Sequence, residues 1–150
     1  MGESINSPKE DYGPAIGNVD YVLLFTSKRN PHKKRAYDED IFFSLKIDGA
    51  WTKAEEFKTV NSEFNEGSAC LSLDGKSLYF SRCAPPIAKK KKKNILSFLK
   101  KKETAYALRT YGNCDLYMTT RLRKTSTWGD IKNLGPGVNR CCSDSIVFPY

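Results

Sequence analysis

Residues 68–81 read SACLSLDGKSLYFS, and this stretch decides the fold. At its centre, Asp74-Gly75 separates two runs of β-forming residues, which is the strongest short signal for a β-hairpin. Pairing the two runs across this turn gives three cross-strand pairs: Leu71 with Leu78, Cys70 with Tyr79, and Ala69 with Phe80. Apolar residues then lie on both faces of the hairpin, whereas a sheet with one wet face alternates more cleanly. The stretch therefore predicts a β-sheet that is covered on both sides.

The hairpin belongs to an internal repeat. Three segments begin alike, with Ile5-Asn6-Ser7, Val60-Asn61-Ser62 and Val138-Asn139-Arg140, and an acid stands six residues after each opening aliphatic residue: Asp11, Glu66 and Asp144. A strand-like run follows each acid, from Gly13, Ser68 and Ser145, and a second run follows in the first two copies, LLFTSKR from Leu23 and SLYFSRC from Ser77. Self-similarity of this kind is the signature of repeat architectures.

A third strand and a tryptophan complete each of the first two copies. The run Asp40-Ile41-Phe42-Phe43 matches Asp115-Leu116-Tyr117-Met118, and Trp51 and Trp128 follow at similar distances. Without an insertion at about 84–111, each unit has roughly 50 residues and three or four short strands, the size of one propeller blade. The sequence predicts an all-β domain over 1–150, a partial β-propeller of two to three four-stranded antiparallel blades. The tryptophans are expected to pack between blades rather than stack on a ligand. The repeated acids are expected to fix turns rather than bind metal.

The net charge of +8 is confined to the insertion. Segment 89–102, KKKKKNILSFLKKK, contains eight lysines and no acid, and the rest of the chain has 17 basic and 17 acidic residues. The segment is either a short amphipathic helix on an anionic surface or a solvated loop, and we favour the loop. Nucleic-acid binding is not expected, because aromatic residues do not interleave with the lysines.

The sequence offers no candidate catalytic, cofactor-binding or metal-binding residue. The single histidine, His32, lies in a basic turn, no glycine-rich phosphate loop occurs, and Asp38-Glu39-Asp40 is interpreted as a solvated turn. The five cysteines show no zinc spacing, but Cys83 and Cys114 bracket the insertion and could form a disulfide in an oxidising compartment. The polar amino terminus lacks the charged and then apolar segments of a signal peptide, so the expectation is either a cytoplasmic protein or a natural amino terminus that this sequence does not include.

As a set, these motifs resemble the WD-repeat-like propeller of TolB and of bacterial envelope proteins with an OmpA-like domain. The resemblance rests on residues 6–14 leading into Leu24–Arg29, on residues 72–81, on 112–117, and on 128–135. It implies a non-catalytic binding or scaffolding module, periplasmic or associated with the outer membrane. The implied partners are envelope proteins, including a peptidoglycan-associated complex. The alternative is the propeller portion of a hydrolase or peptidase whose catalytic residues lie outside this chain. Since a ring takes about four to eight blades, the chain is expected to be a fragment or to assemble with further copies.

Overall fold

The computed structural model describes residues 2–17, 21–30, 39–83, 114–123 and 126–139. In these ranges the protein is all-β, with no helix and with two antiparallel sheets. The first sheet contains β1 (Asp11–Gly17), β2 (Val22–Ser27), β3 (Asp40–Ile47), β4 (Ala50–Trp51) and β5 (Glu55–Glu56). The second contains β6 (Asn65–Leu71), β7 (Ser77–Cys83), β8 (Asp115–Thr120) and β9 (Lys132–Asn133). Two sheets do not make a closed ring, so the partial propeller stays a prediction.

Consecutive strands lie side by side in both sheets, except for β5. The first has the order β1-β2-β3-β4 with β5 also paired to β3, and the second has the order β6-β7-β8-β9. The additional strand of the first sheet, β4, was not expected, whereas β5 pairs with Phe42 and Phe43 as β9 pairs with Tyr117 and Met118. The strand β4 arises because Asp48 and Gly49 both have positive φ, 48° and 82°, as a two-residue hairpin requires, so that Ala50–Trp51 folds back on β3.

The hairpin predicted from residues 68–81 is present. Gly75 has a φ of 68°, its N–H donates to the Ser72 carbonyl at 2.9 Å, and Cys70 pairs with Tyr79 and Leu71 with Leu78. The predicted pairing of Ala69 with Phe80 falls at a shift of register: between the pairs Gly67–Ser81 and Cys70–Tyr79, β6 has the two residues Ser68 and Ala69 where β7 has Phe80 alone. Ser68 has a positive φ of 51° there, as expected of a β-bulge.

The main core lies between the two sheets. One face of the first sheet, with Leu24 and Ile41, packs against Leu78, Phe80 and Tyr117 of the second. At full burial each such side chain contributes about 1.5–3 kcal/mol. The first strand of the second sheet lies close to the first sheet: a Cβ on Gly67 would stand 2.9 Å from the hydroxyl of Thr26, and the Ser68 N–H donates to that hydroxyl at 3.1 Å. Glycine at position 67 therefore permits the sheets to approach.

A second cluster covers the other face of the first sheet. It consists of buried Ile5, Leu23, Phe25 and Phe42, with Trp51 and Ala54 packed against them. The apolar residues of the first sheet thus have partners on both of its sides. The prediction of a sheet covered on both sides was made for residues 68–81, which lie in the second sheet, and there Cys70 is exposed and Tyr79 is 37% exposed.

A disulfide joins Cys83, at the end of β7, to Cys114, directly before β8. The adjacent pair in the ladder is Arg82 with Asp115, so the bond links neighbouring strands at the position where the insertion leaves the sheet. The disulfide that the sequence left open is therefore formed in the structure. The insertion itself, with segment 89–102, lies outside the described residues.

Candidate interaction surface

Each sheet has one polar end, where its first and third strands begin and its second strand ends. In the second sheet, the Arg82 guanidinium donates from Nε to Glu66 Oε1 at 2.7 Å and from Nη2 to the Val60 carbonyl at 2.8 Å. Glu66 is completely buried and also accepts hydrogen bonds from the N–H and the hydroxyl of Ser62. The guanidinium lies over the rings of Phe80 and Tyr117, 5.5 and 5.2 Å from their centroids. This buried ion pair holds the segment before β6 against β7.

The first sheet contains the same arrangement with different residues. Arg29 donates from Nη2 to Asp11 Oδ1 at 2.6 Å and to the Ile5 carbonyl, and Asp11 accepts hydrogen bonds from the N–H and hydroxyl of Ser7. The guanidinium lies 5.1 and 5.0 Å from the centroids of Phe25 and Phe42. The contacts of Arg29 therefore correspond, partner for partner, to those of Arg82.

The two carboxyl groups respond differently to these surroundings. Burial alone would raise the pKa of Asp11, but hydrogen bonds from Ser27, Arg29 and Ser7 outweigh it and hold the pKa below its usual value. For Glu66, burial dominates over Ser62 and Arg82, so its pKa is raised. The more exposed carboxylate is thus stabilised in its charged form, whereas the buried one resists ionisation.

One asparagine binds the third strand of each sheet: Asn61 binds β3 of the first sheet, and Asn139 binds β8 of the second. Asn61 accepts the Ile41 N–H at Oδ1 and donates from Nδ2 to the Ile41 carbonyl, both at 2.9 Å. Asn139 makes the same two bonds to Leu116, at 2.8 and 2.9 Å. The counterpart Asn6, in the first segment, is exposed. The asparagines of the second and third repeated openings therefore satisfy backbone groups of a strand.

The expectation that Asp40 belongs to a solvated turn is wrong. Asp40 begins β3, is fully buried and accepts a hydrogen bond from Asn30 Nδ2 at 2.9 Å. Its counterpart Asp115 begins β8, is also buried and accepts one from Asn133 at 2.9 Å. A buried carboxylate needs such donors, and neighbouring side chains supply them.

The tryptophans pack against the cores. Trp51 is half-buried and packs against the second cluster. Trp128 packs against the core between the sheets, meets the Phe57 ring edge-on at 6.1 Å, and carries the Arg121 guanidinium 4.7 Å above its ring centroid. Trp128 thus lies between the two sheets, whereas Trp51 packs on the other face of the first sheet, so the packing of both tryptophans between blades stays a prediction.

The opposite end of the two sheets carries exposed apolar side chains. We call it the turn end, because the β6–β7 turn lies there, and β8 also ends there, since the Arg121 N–H donates to the Lys76 carbonyl at 2.9 Å. Leu73 and Leu122 are 82% and 89% exposed there. The exposed apolar residues at this end of both sheets are Ile16, Tyr21, Leu45, Ile47, Leu73 and Leu122. Such a concentration of exposed apolar residues typically marks an interaction site.

An apolar cleft of about 170 Å³ lies between the sheets beside the turn end. The first sheet forms one wall of the cleft, with Val22, Leu24, Phe43 and Leu45. The rest of the lining comes from Leu71 of β6 and from three residues outside the strands, Phe57, Arg121 and Trp128. The volume of the cleft is that of one large apolar side chain, and Arg121 places a positive charge on its wall. The cleft and the exposed residues around it form a surface suited to an apolar protein segment.

The potential metal ligands among the described residues do not cluster. In that part of the chain, no group of three or more metal-ligating side chains comes together, and every buried side-chain nitrogen and oxygen has a hydrogen-bond partner. The same part of the chain has no helix long and apolar enough to cross a membrane. His32 and Asp144, which the sequence analysis named, lie outside the described ranges, as do Cys141 and Cys142.

Comparison with models of known protein families, with curated protein sequences and with solved structures finds no match.

Sequence reasoning missed the two arginines. Arg82 pairs in the ladder with Asp115, and the residue that pairs with the corresponding Asp40 is Ser27. Arg29 therefore stands two positions further along the chain than Arg82, so aligning the copies does not superimpose the two arginines. The signal that could have revealed them is an arginine that follows the repeated acid by a similar distance in each of the first two copies. Arg29 follows Asp11 by 18 residues, and Arg82 follows Glu66 by 16.

Proposed function

We propose that this chain is a non-catalytic protein-binding or scaffolding module of the bacterial cell envelope, built from consecutive propeller blades of a larger TolB-like or OmpA-family protein. The observation that carries the proposal is the agreement between the Arg29 and Arg82 clusters. Each joins an acid, a serine, a backbone carbonyl and two rings in the same way, which is what repeated units of one architecture should share.

The use of the charged side chains supports a scaffold. Carboxylates and arginines often act in catalysis, yet the clustered ones described here bond backbone groups or neighbouring side chains. These contacts fix strands in place. The surface left for recognition is then the turn end, with its exposed leucines and apolar cleft.

The disulfide supports an envelope location. A bond between Cys83 and Cys114 persists in oxidising compartments such as the bacterial periplasm and is rare in the cytosol. A rigid module that is cross-linked in this way can present one surface to an envelope partner.

The binding role is tested by site-specific photo-crosslinking in the bacterium that encodes the chain. A photoreactive residue at Leu73 or Leu122 should give a discrete adduct with one envelope protein, because both positions lie on the turn end. The matched control is Glu10, an exposed residue near the polar end, where no such adduct should form. Ile47→Lys, a charge placed on the same surface, should reduce the adduct. Adducts of equal yield at all three positions, or none at any, would contradict the proposal.

The location is tested in the same cells by fractionation. The protein should appear in the periplasmic or outer-membrane fraction with Cys83 and Cys114 protected from an alkylating reagent until reduction. A cytoplasmic protein with both thiols free would overturn the envelope assignment.

A further inference from the structure

One face of the second sheet is exposed among the described residues, whereas the corresponding face of the first sheet is buried. We call this face of the second sheet the open face, and it contains Cys70, Tyr79, Ser81, Leu116 and Met118, which share one side of the sheet by the register of β6, β7 and β8. Tyr79 is 37% and Leu116 is 44% exposed. Large apolar side chains therefore meet solvent in the middle of a sheet.

The corresponding face of the first sheet is closed. By register, Leu24 corresponds to Tyr79, Thr26 to Ser81 and Ile41 to Leu116. Leu24 and Thr26 are each 1% exposed and Ile41 is completely buried. What closes this face is the segment that begins at Val60-Asn61 and continues into β6, since Val60 and Ala69 lie in the core with Leu24 and Ile41.

The entry of the covering segment is fixed by Asn61. Its two hydrogen bonds to Ile41 hold the chain beside β3 immediately before it crosses to the face that β6 covers. Asn139 holds the chain beside β8 by the same two bonds to Leu116. Asn139 therefore occupies the same position relative to the second sheet as Asn61 does relative to the first.

We propose that the open face is the docking surface for the segment that follows Asn139, residues 140–150, which covers Tyr79 and Leu116 as β6 and the residues before it cover Leu24 and Ile41. This inference rests on the repeated construction invoked for the proposed function. The length suffices, because β6 ends ten residues after Asn61 and eleven residues follow Asn139.

The chemistry of the segment matches the surface. Asp144 stands where Glu66 stands in the preceding copy, and Ser145, Ile146, Val147 and Phe148 follow it. At the closest approach of the first pair of sheets, Gly67 faces Thr26. On the open face the corresponding residue is Ser81, which lacks the methyl group of threonine and so leaves room for a residue larger than glycine. Apolar side chains on a covering strand would remove Tyr79 and Leu116 from water.

The test uses the full chain with a single reporter thiol on the open face. In a background of Cys70→Ser, Cys141→Ser and Cys142→Ser, which retains the Cys83–Cys114 disulfide, Leu116→Cys is alkylated with iodoacetamide under native conditions. The matched control is Leu122→Cys in the same background, at a position 89% exposed. The thiol at position 116 should react at least about tenfold more slowly than the thiol at position 122, because it must wait for the segment to open.

The occupant is identified by changing it. Ile146→Asp with Phe148→Asp should bring the reaction at position 116 close to the rate at 122, without changing the rate at 122. Equal rates at the two positions in the parent chain would overturn the proposal, and this arm does not depend on the folding of the doubly substituted chain. Protection that survives the double substitution in a folded chain, or that grows with protein concentration, would also overturn it and would indicate another occupant or a second copy. These outcomes are independent of the crosslinking that tests partner binding, so the two proposals can fail separately.

Discussion

The side-chain amide of Asn61 forms two hydrogen bonds with the backbone of one residue, Ile41, at the start of β3. Ile41 is completely buried, so its N–H and carbonyl have little access to water. Asn61→Ala should therefore lower the free energy of unfolding by about 1–3 kcal/mol, the cost of leaving the buried Ile41 N–H unpaired, while the Ile41 carbonyl keeps the Phe57 N–H as its donor. Urea denaturation measures the change.

The control for this prediction is Asn6→Ala, at the exposed counterpart position. A surface substitution of this kind should change stability by less than about 0.5 kcal/mol. Equal losses in the two variants would show that the amide of Asn61 contributes nothing specific.

Arg82 and Glu66 form a buried ion pair, and removing one partner should be worse than removing both. Arg82→Met leaves the Glu66 carboxylate buried without its cation and should cost about 3–5 kcal/mol. The double variant Arg82→Met with Glu66→Met should recover part of this loss, because no unpaired charge remains. Arg29→Met should cost less than Arg82→Met, since the side chain of Asp11 retains some exposure, 12% against none for Glu66. Additive losses in the double variant would contradict this account.

The sequence predicted the elements that depend on local chemistry. The Asp74-Gly75 hairpin and the strands that begin at Asp40 and Asp115 follow from turn residues and periodicity, which act over a few positions. The register beyond Cys70 could not be predicted, because it depends on a bulge at Ser68 that permits the close contact with Thr26, a residue 42 positions away.

The candidate surface was harder to predict for a similar reason. Leu73 precedes β7 and Leu122 follows β8, so the two residues are far apart in the sequence. Only the pairing of β7 with β8 brings the start of β7 beside the end of β8. The buried state of Asp40 was missed because its partner, Asn30, is contributed across an intervening segment. Fold class thus followed from local pattern, whereas the surface and the polar clusters depend on contacts between strands.

Stability should depend on pH through two carboxyl groups with opposite signs. Burial would raise the pKa of Asp11, but hydrogen bonds from Ser27 and Arg29 outweigh this effect and hold the pKa below its usual 3.8 in the folded chain. The stabilisation from Asp11 is therefore fully present above the pKa of its carboxyl in the unfolded chain, and it is lost as pH falls through the pKa in the folded chain. Burial raises the pKa of Glu66 above its usual 4.5, so its contribution favours folding at low pH and is lost as pH rises through the folded value.

Urea denaturation of the parent chain, Asp11→Asn and Glu66→Gln at several pH values from about 2.5 to 7 separates the two effects. The stability of the parent relative to Asp11→Asn should fall as the solution is acidified below about 4. Its stability relative to Glu66→Gln should instead fall as pH rises above about 4.5. Slopes of the same sign would show that one of the two environments is assigned wrongly.

The disulfide should stabilise the second sheet by closing the insertion. Cys83 and Cys114 are 31 residues apart, and a cross-link that closes a loop of this length stabilises a protein by about 3.7 kcal/mol through the entropy of the unfolded chain. Reduction, or Cys83→Ala with Cys114→Ala, should lower the urea midpoint accordingly, while Cys70→Ser should leave it unchanged because Cys70 is free and exposed. Since Arg82 and Asp115 form the adjacent pair in the ladder, amide exchange should quicken first at these two residues. An unchanged midpoint in a fully reduced sample would show that the β7–β8 pairing holds without the bond.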